Sequence, residues 1–195
     1  MDHKNYQDHF FKKAKNKGYR SRSAFKLIEL NKKFKFLKNR INLLDLGSSP
    51  GGWSQVVKEN VKYGKILGID KKETEKILGI KFLIGDFLDD NAKINISNYF
   101  QSKIDVIISD MAPNTTGNKS LDCMRTNHLC LEILNFAMKM LSKKGVVISK
   151  LFMGEEFEEI KKNAKRNFKK VNFFKPESSR SESRETYIHC SGLST

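Results

Sequence analysis

The sequence predicts a single α/β domain, a mostly parallel sheet covered on both faces by helices, and three observations carry that reading. Short apolar, β-branched runs alternate along the chain with longer segments of helix-forming composition. The runs are close to continuously apolar, as strands buried on both faces must be. The polar residues of interest stand at the carboxyl ends of those runs, at Asp45–Gly47, Asp70, Asp86, Asp110 and Lys150, where open α/β sheets receive ligands. A chain of 195 residues, 38% hydrophobic, is long enough for one such core and leaves little for a second.

Taken in order, residues 1–40 form a basic helical arm in front of a domain that spans 1–195. The runs INLLDLG (41–47), KILGID (65–70), KFLIGD (81–86), IDVIISD (104–110) and GVVISKLF (145–152) read as buried strands. VNFFK (171–175) and ETYIHC (185–190) complete the sheet. Residues 53–62 and 155–167 have helix-forming composition. The strongest helix signal runs from Asp122 to Leu141, where Cys130, Ile133, Leu134, Ala137, Met138 and Leu141 recur at helical spacing, with Gly145 as the expected stop.

The formal net charge of +15 favours a polyanionic partner. Residues 1–40 hold thirteen lysines and arginines against Asp2, Asp8 and Glu29, about two thirds of the excess. A second basic run extends from Lys161 to Lys175, and the two together suggest a nucleic-acid face. In the arm, Tyr19, Phe25, Phe34 and Phe36 lie among the cations, a pattern suited to phosphate contact with occasional base stacking. Cys123, Cys130 and Cys190 show no C-x-x-C pairing, which argues against a disulfide framework or a zinc site and for a reducing interior. No segment approaches the ~20 apolar residues of a membrane span. The expectation is a monomer with no membrane partner, intracellular, in the cytoplasm or an organelle matrix such as the mitochondrion.

The ligand is read from LLDLGSSPGGW, Leu43 to Trp53. G-S-S-P-G-G at 47–52 misses the G-x-G-x-x-G spacing that brings backbone against a pyrophosphate. It also lacks the P-loop lysine, since Trp53 stands there. S-adenosyl-L-methionine fits better: it has no phosphate, and it presents a sulfonium, ribose hydroxyls and a zwitterionic tail. A glycine elbow allows close backbone approach, Asp70 can accept from ribose hydroxyls, and Asp86 suits the adenine edge.

With "RSRSAFKLIEL", "DLGSSPGGWSQ", "GDF", "SDMAPN", "SKLFMGEEF" and "KPESSRSESRETY" in this order, the chain resembles the FtsJ/RrmJ-type ribosomal RNA 2′-O-methyltransferases from end to end. The resemblance implies a Rossmann-like methyltransferase fold with a seven-stranded sheet whose last strand is antiparallel. It implies a catalytic tetrad on Lys26, Asp110, Lys150 and Glu185. It implies donor-binding positions at Gly47, Pro50, Gly51, Gly52, Trp53, Asp70, Asp86 and Asp110, and no metal. Ser48 and Ser49 depart from the small apolar residues common there, but are small enough to fit.

Transfer to a ribose 2′-hydroxyl requires in-line alignment, worth ~7–11 kcal/mol, and a group to take the proton. A free lysine has a pKa of about 10.4. A sulfonium ~5 Å away at an effective dielectric of ~20 opposes its protonated form by roughly 3 kcal/mol. Lys26 acts in the same sense, and Asp110 and Glu185 oppose it. The reading taken is Lys150 as base, with an orienting donor as the alternative. His128 and His189 read as a helix-face and a strand histidine. The expected substrate is large-subunit ribosomal RNA, as RNA alone or in the ribosomal large subunit. The alternatives are a transfer RNA anticodon loop or a non-catalytic RNA-binding module.

Overall fold

Seven strands and six helices form among the described residues of the computed structural model, which gives the backbone of residues 3–194 and side chains from His9. Met1, Asp2 and Thr195 lie outside it. The arm is two helices, α1 (His3–Asn16) and α2 (Ala24–Phe34), and then come β1 (Leu43–Leu46), α3 (Gly52–Asn60), β2 (Ile66–Asp70) and β3 (Lys81–Ile84). The second half contains α4 (Asp90–Phe100), β4 (Ile104–Ser109), α5 (Lys119–Met140), β5 (Leu141–Phe152), α6 (Phe157–Asn167), β6 (Phe168–Phe174) and β7 (Glu185–Leu193).

The strands form one sheet in the order β3-β2-β1-β4-β5-β7-β6. The first five are parallel, and β7 enters between β5 and β6 antiparallel to both. The seven strands and the antiparallel last one are as expected. Alternate side chains feed two cores. On one face Leu44, Leu46, Ile107, Val147 and Ile188 pack under α4, α5 and α6. On the other, Leu43, Ile66, Val106, Ile108 and Ile148 pack under α2 and α3. On α2, Ala24, Leu27 and Leu30 are fully buried; each leucine contributes about 1.5–3 kcal/mol. That seam fixes how α2 lies on the sheet.

Three expectations change. KFLIGD was read as a buried strand, but β3 is the sheet edge, with Lys81 exposed and Ile84 at 68%. Its apolar run resembles the others because periodicity does not reveal a strand's position in a sheet. Next, the helix α5 ends at Met140, and Leu141 is already extended, so Gly145 is not its stop. Gly145 instead permits a close pass, since a Cβ there would stand 2.5 Å from Leu141 Cγ. The start of α5 is capped by Asn118, whose side chain accepts from the backbone N–H of Ser120 and Leu121. Helix α4 was not anticipated: its buried positions Ala92, Ile96 and Phe100 recur every four residues but are diluted by asparagine, serine and lysine.

The arm aromatics are the third correction. Phe25 and Phe36 are buried at 6% and 3%. Phe34 stacks on His189 at 4.2 Å and 8°, and Tyr19 donates to Glu59 at 2.7 Å. These rings pack the arm onto the domain and are not presented to bases; apolar area gains more from burial than from exposure beside lysines. Among the described residues, no helix is long and apolar enough to cross a membrane.

Candidate active site

The topology brings four charged side chains to one end of the sheet. Asp110 follows the last residue of β4, and Lys150 lies near the carboxyl end of β5. Because β7 runs antiparallel, its first residue, Glu185, pairs with Phe152 at that same end. Lys26 reaches down from α2.

The side chains are 8–17% exposed and interlock. Lys26 Nζ lies 2.7 Å from Glu185 Oε1 and 2.9 Å from Oε2, and 3.9 Å from Asp110 Oδ1. Lys150 Nζ donates to Asp110 Oδ1 at 2.9 Å and to the Asp110 carbonyl at 2.6 Å, with Glu185 Oε2 at 4.0 Å. Two cations and two anions leave the cluster formally neutral, the condition under which buried charge is tolerated.

Two further residues had no assigned role in the sequence reading. Tyr187 is fully buried and its hydroxyl donates to Asp110 Oδ1 at 2.6 Å. Ser179, 3% exposed, donates to Glu185 Oε1 at 2.7 Å. The available signal was strand alternation, which puts Glu185 and Tyr187 on one face. Burial drives the Asp110 carboxyl up, but Lys150, Lys26 and the Tyr187 hydroxyl outweigh it and hold it below the usual carboxylate range. Burial first, then the Asp110 and Glu185 charges, push Tyr187 well above the usual phenol value, so it stays a donor.

Beside this cluster, the elbow leaves β1 at Gly47, which has φ +80° and no room for a Cβ beneath Met111. Pro50 is exposed and follows a cis peptide, Gly51 has φ +112°, and Gly52 opens α3. Asp70 ties the elbow to β2, accepting from Ser49 N at 3.0 Å and Lys72 N at 2.8 Å. Asp86 accepts from Leu88 N at 3.1 Å and pairs with Lys71 at 2.6 Å. Burial is the largest single influence and raises its carboxyl, but Lys71 and the Leu88 N–H together outweigh it and hold it below the usual carboxylate range. Lys71 is 70% exposed, so this pair is weakly held. Trp53 is 3% exposed and its indole N–H donates to the Ser23 carbonyl at 2.8 Å, so its ring holds α3 against α2.

Asp45 differs from its expected position at a strand end. It pairs within β1, beside Gly68 and Ile108, and is 1% exposed. Ser54 Oγ donates to its Oδ2 at 2.6 Å, and its Oδ1 has no hydrogen-bond partner. Burial pushes this carboxyl up to about 7 against the opposing Ser54 bond, with Asp110 and Asp70 adding to the rise.

The donor set suits S-adenosylmethionine. A glycine elbow, Asp70 and Asp86, both carboxylates with acceptor capacity to spare, and Asp110 form an acceptor-rich mouth for a cation bearing ribose hydroxyls. Among the described residues no cluster of three or more His, Cys, Asp or Glu is arranged to hold a metal ion. Cys123, Cys130 and Cys190 are free and buried, and His128 is exposed on α5.

A family model described as FtsJ-like methyltransferase matches residues 19–193. The chain is 46% identical over 187 residues to the ribosomal RNA large subunit methyltransferase E of Pelagibacter ubique, covering 96% of this chain and 92% of that protein. It is 40% identical to the protein of the same name from Hahella chejuensis, covering 96% and 92%. A Plasmodium falciparum protein named as a ribosomal RNA methyltransferase has a crystal structure that superposes with a TM-score of 0.82 at 36% identity, over 90% of this chain and 98% of that one. Human methyltransferase-like protein 13, solved with SAH, shares the fold at a TM-score of 0.62 and 16% identity, over 88% and 82%.

Proposed function

The chain belongs to the FtsJ-like methyltransferase family, and from that membership we propose that it methylates a ribose 2′-hydroxyl of large-subunit ribosomal RNA. It is an S-adenosylmethionine-dependent RNA methyltransferase. The relatives' names favour ribosomal RNA over the transfer RNA reading, and an intact charged cluster favours an enzyme over an inert RNA-binding module.

The observation that carries the proposed mechanism is the convergence of Lys26, Asp110, Lys150 and Glu185 within 4.0 Å contacts of one another. When bound, S-adenosylmethionine supplies a methyl carbon activated by sulfonium. Gly47, Pro50, Gly51 and Gly52 give the elbow its close backbone approach, and Asp70 and Asp86 accept from hydroxyl and amino groups. Lys150 takes the 2′-hydroxyl proton on Nζ. A neutral amine there keeps two N–H bonds, both accepted by Asp110, and turns its lone pair to the third direction. The ammonium that forms is stabilised by the Asp110 and Glu185 carboxylates. Lys26 holds Glu185 through both oxygens, and Tyr187 fixes Asp110. Burial keeps water from competing for these bonds.

Lys13, Lys15, Lys17, Lys32 and Lys33 of the arm are exposed, and we take this surface as the RNA contact beside the cluster. The protein is read as a monomer acting in a reducing intracellular compartment, the cytoplasm or an organelle matrix, consistent with three unpaired cysteines. The test is transfer of labelled methyl to large-subunit ribosomal RNA, with 2′-O-methyl mapping. Wild type is expected to label one ribose, and Lys150→Ala to lose at least ~100-fold in rate with donor affinity retained. A variant retaining most of its rate would remove Lys150 from the role.

A further inference from the structure

The protein's charge is divided between the two ends of its sheet. The chain enters β1, β2, β4, β5 and β6 at the end opposite the charged cluster. Segments 36–42, 61–65, 101–105, 139–145 and 165–170, which lead into and open those strands, carry twelve lysines and arginines and one acid, Asp105. Segment 77–80, leading into β3, carries no charge. The segments at the reaction end (47–52, 71–76, 85–90, 110–118, 153–157 and 175–184) carry six cations against ten acids. Most of the net charge of +15 therefore sits at the far end and in the arm.

Local structure explains only part of this. Lys65 donates to the carbonyls of Tyr99 and Phe100, and Lys103 to that of Lys139, so these two bond the carboxyl ends of α4 and α5. The lone acid is occupied, since Asp105 accepts from Asn42 N at 2.9 Å and Ser142 Oγ at 3.1 Å. Lys62, Lys143, Lys144, Lys169 and Lys170 stand on strand starts or just before them, and all are exposed. With strands about 4.8 Å apart, the row from β2 to β6 is about 24 Å long. Val146 and Lys150 lie four residues apart on the regular part of β5, about 13 Å, and Lys143 and Lys144 precede Val146 at the start of the strand. A basic row of that length, distant from the reacting end, matches the regular negative charge of a nucleic-acid backbone.

We propose that this end of the sheet is a second RNA-binding surface, gripping a stretch of the same RNA remote from the target ribose. The inference rests on the reading that the protein acts on RNA, and it adds that the substrate must be large enough to reach both ends.

The test is K143Q/K144Q/K169Q/K170Q, compared with wild type for binding to large-subunit ribosomal RNA and to a ten-nucleotide strand of it that carries the methylated position. The expected result with the long RNA is binding about 10–100-fold weaker near 0.1 M salt, with a log–log salt slope shallower by about 3. Affinity for the ten-nucleotide strand and for S-adenosylmethionine should be unchanged. An unchanged slope with the long RNA overturns the proposal. An equal loss for both RNAs also overturns it, because the lysines would then act only through the overall field. Should the fourfold variant fail to fold, K143Q/K144Q alone must show about half the slope change. Methylation is not the readout: a wild type that methylates neither RNA but shows this slope difference removes the enzymatic reading and leaves the second surface standing.

Discussion

Lys26 on α2 holds both carboxylate oxygens of Glu185, at 2.7 and 2.9 Å, across 159 positions of sequence. The pair joins the arm to the strand that enters the sheet last. Removing either partner leaves the other buried at 11–12% exposure with only a longer contact to an opposite charge, Asp110 at 3.9 Å for Lys26 and Lys150 at 4.0 Å for Glu185. Lys26→Met and Glu185→Gln should each cost about 3–5 kcal/mol, and the double variant less than their sum. A coupling of about 1–3 kcal/mol in urea unfolding is expected, and additive losses would mean the pair is not a unit.

Tyr187→Phe removes a buried donor from Asp110 and should cost about 1–3 kcal/mol. The Asp110 carboxyl lies below its unfolded value, so its contribution is present above that value and is lost as pH falls through the folded one. Without the tyrosine hydroxyl the folded value rises. Acid unfolding of the variant should begin at higher pH than in wild type, followed by circular dichroism below pH 5.

Asp45 titrates in the opposite sense. Its folded value is raised to about 7, so the folded state binds the extra proton between about pH 4 and 7. Stability from this group is fully present below the unfolded value and is lost as pH rises through 7, by up to about 4 kcal/mol. Asp45→Asn should flatten that slope and narrow the gap in urea midpoint between pH 5 and pH 8. An unaltered slope would show that Asp45 is not its source.

Glu29 lies one helical turn from Lys26 on α2 and accepts from the N–H groups of Glu177 (2.6 Å) and Ser178 (3.1 Å), while Arg22 donates to the Ser178 carbonyl. The loop before β7 is thereby held to α2, and Ser179 within it bonds Glu185. Glu29→Ala should speed amide exchange at 177 and 178 and lower kcat severalfold with KM for S-adenosylmethionine unchanged. A change confined to KM would argue that the loop serves donor binding instead.

For the arm, neutralising Lys13, Lys15 and Lys17 should reduce the salt slope of RNA binding by about 2. A slope equal to wild type would remove this surface from the RNA contact.

Strand positions were legible because a buried parallel strand is a local apolar run, and the elbow because Gly47 and Gly51 occupy positive φ that other residues rarely adopt. The edge position of β3, the end of α5 and the helix α4 were not, since each depends on what packs against the segment. Tyr19, Phe25, Phe34 and Phe36 are the clearest example: interleaved with lysines they suggest base stacking, yet they pack against the domain.

The sequence by itself determined the fold class, the glycine elbow and which four charged residues converge, because short-range pattern and motif order carry that information. Only the tertiary structure decided that the antiparallel β7 inserts between β5 and β6, which carries Glu185 and Tyr187 to the end where Asp110 and Lys150 stand. It also decided that Asp45 is buried mid-strand and that cations from five separate segments gather at the far end of the sheet. The physical reason is common to all three: charge and burial depend on neighbours in space, and strand order, which the local pattern does not encode, selects those neighbours.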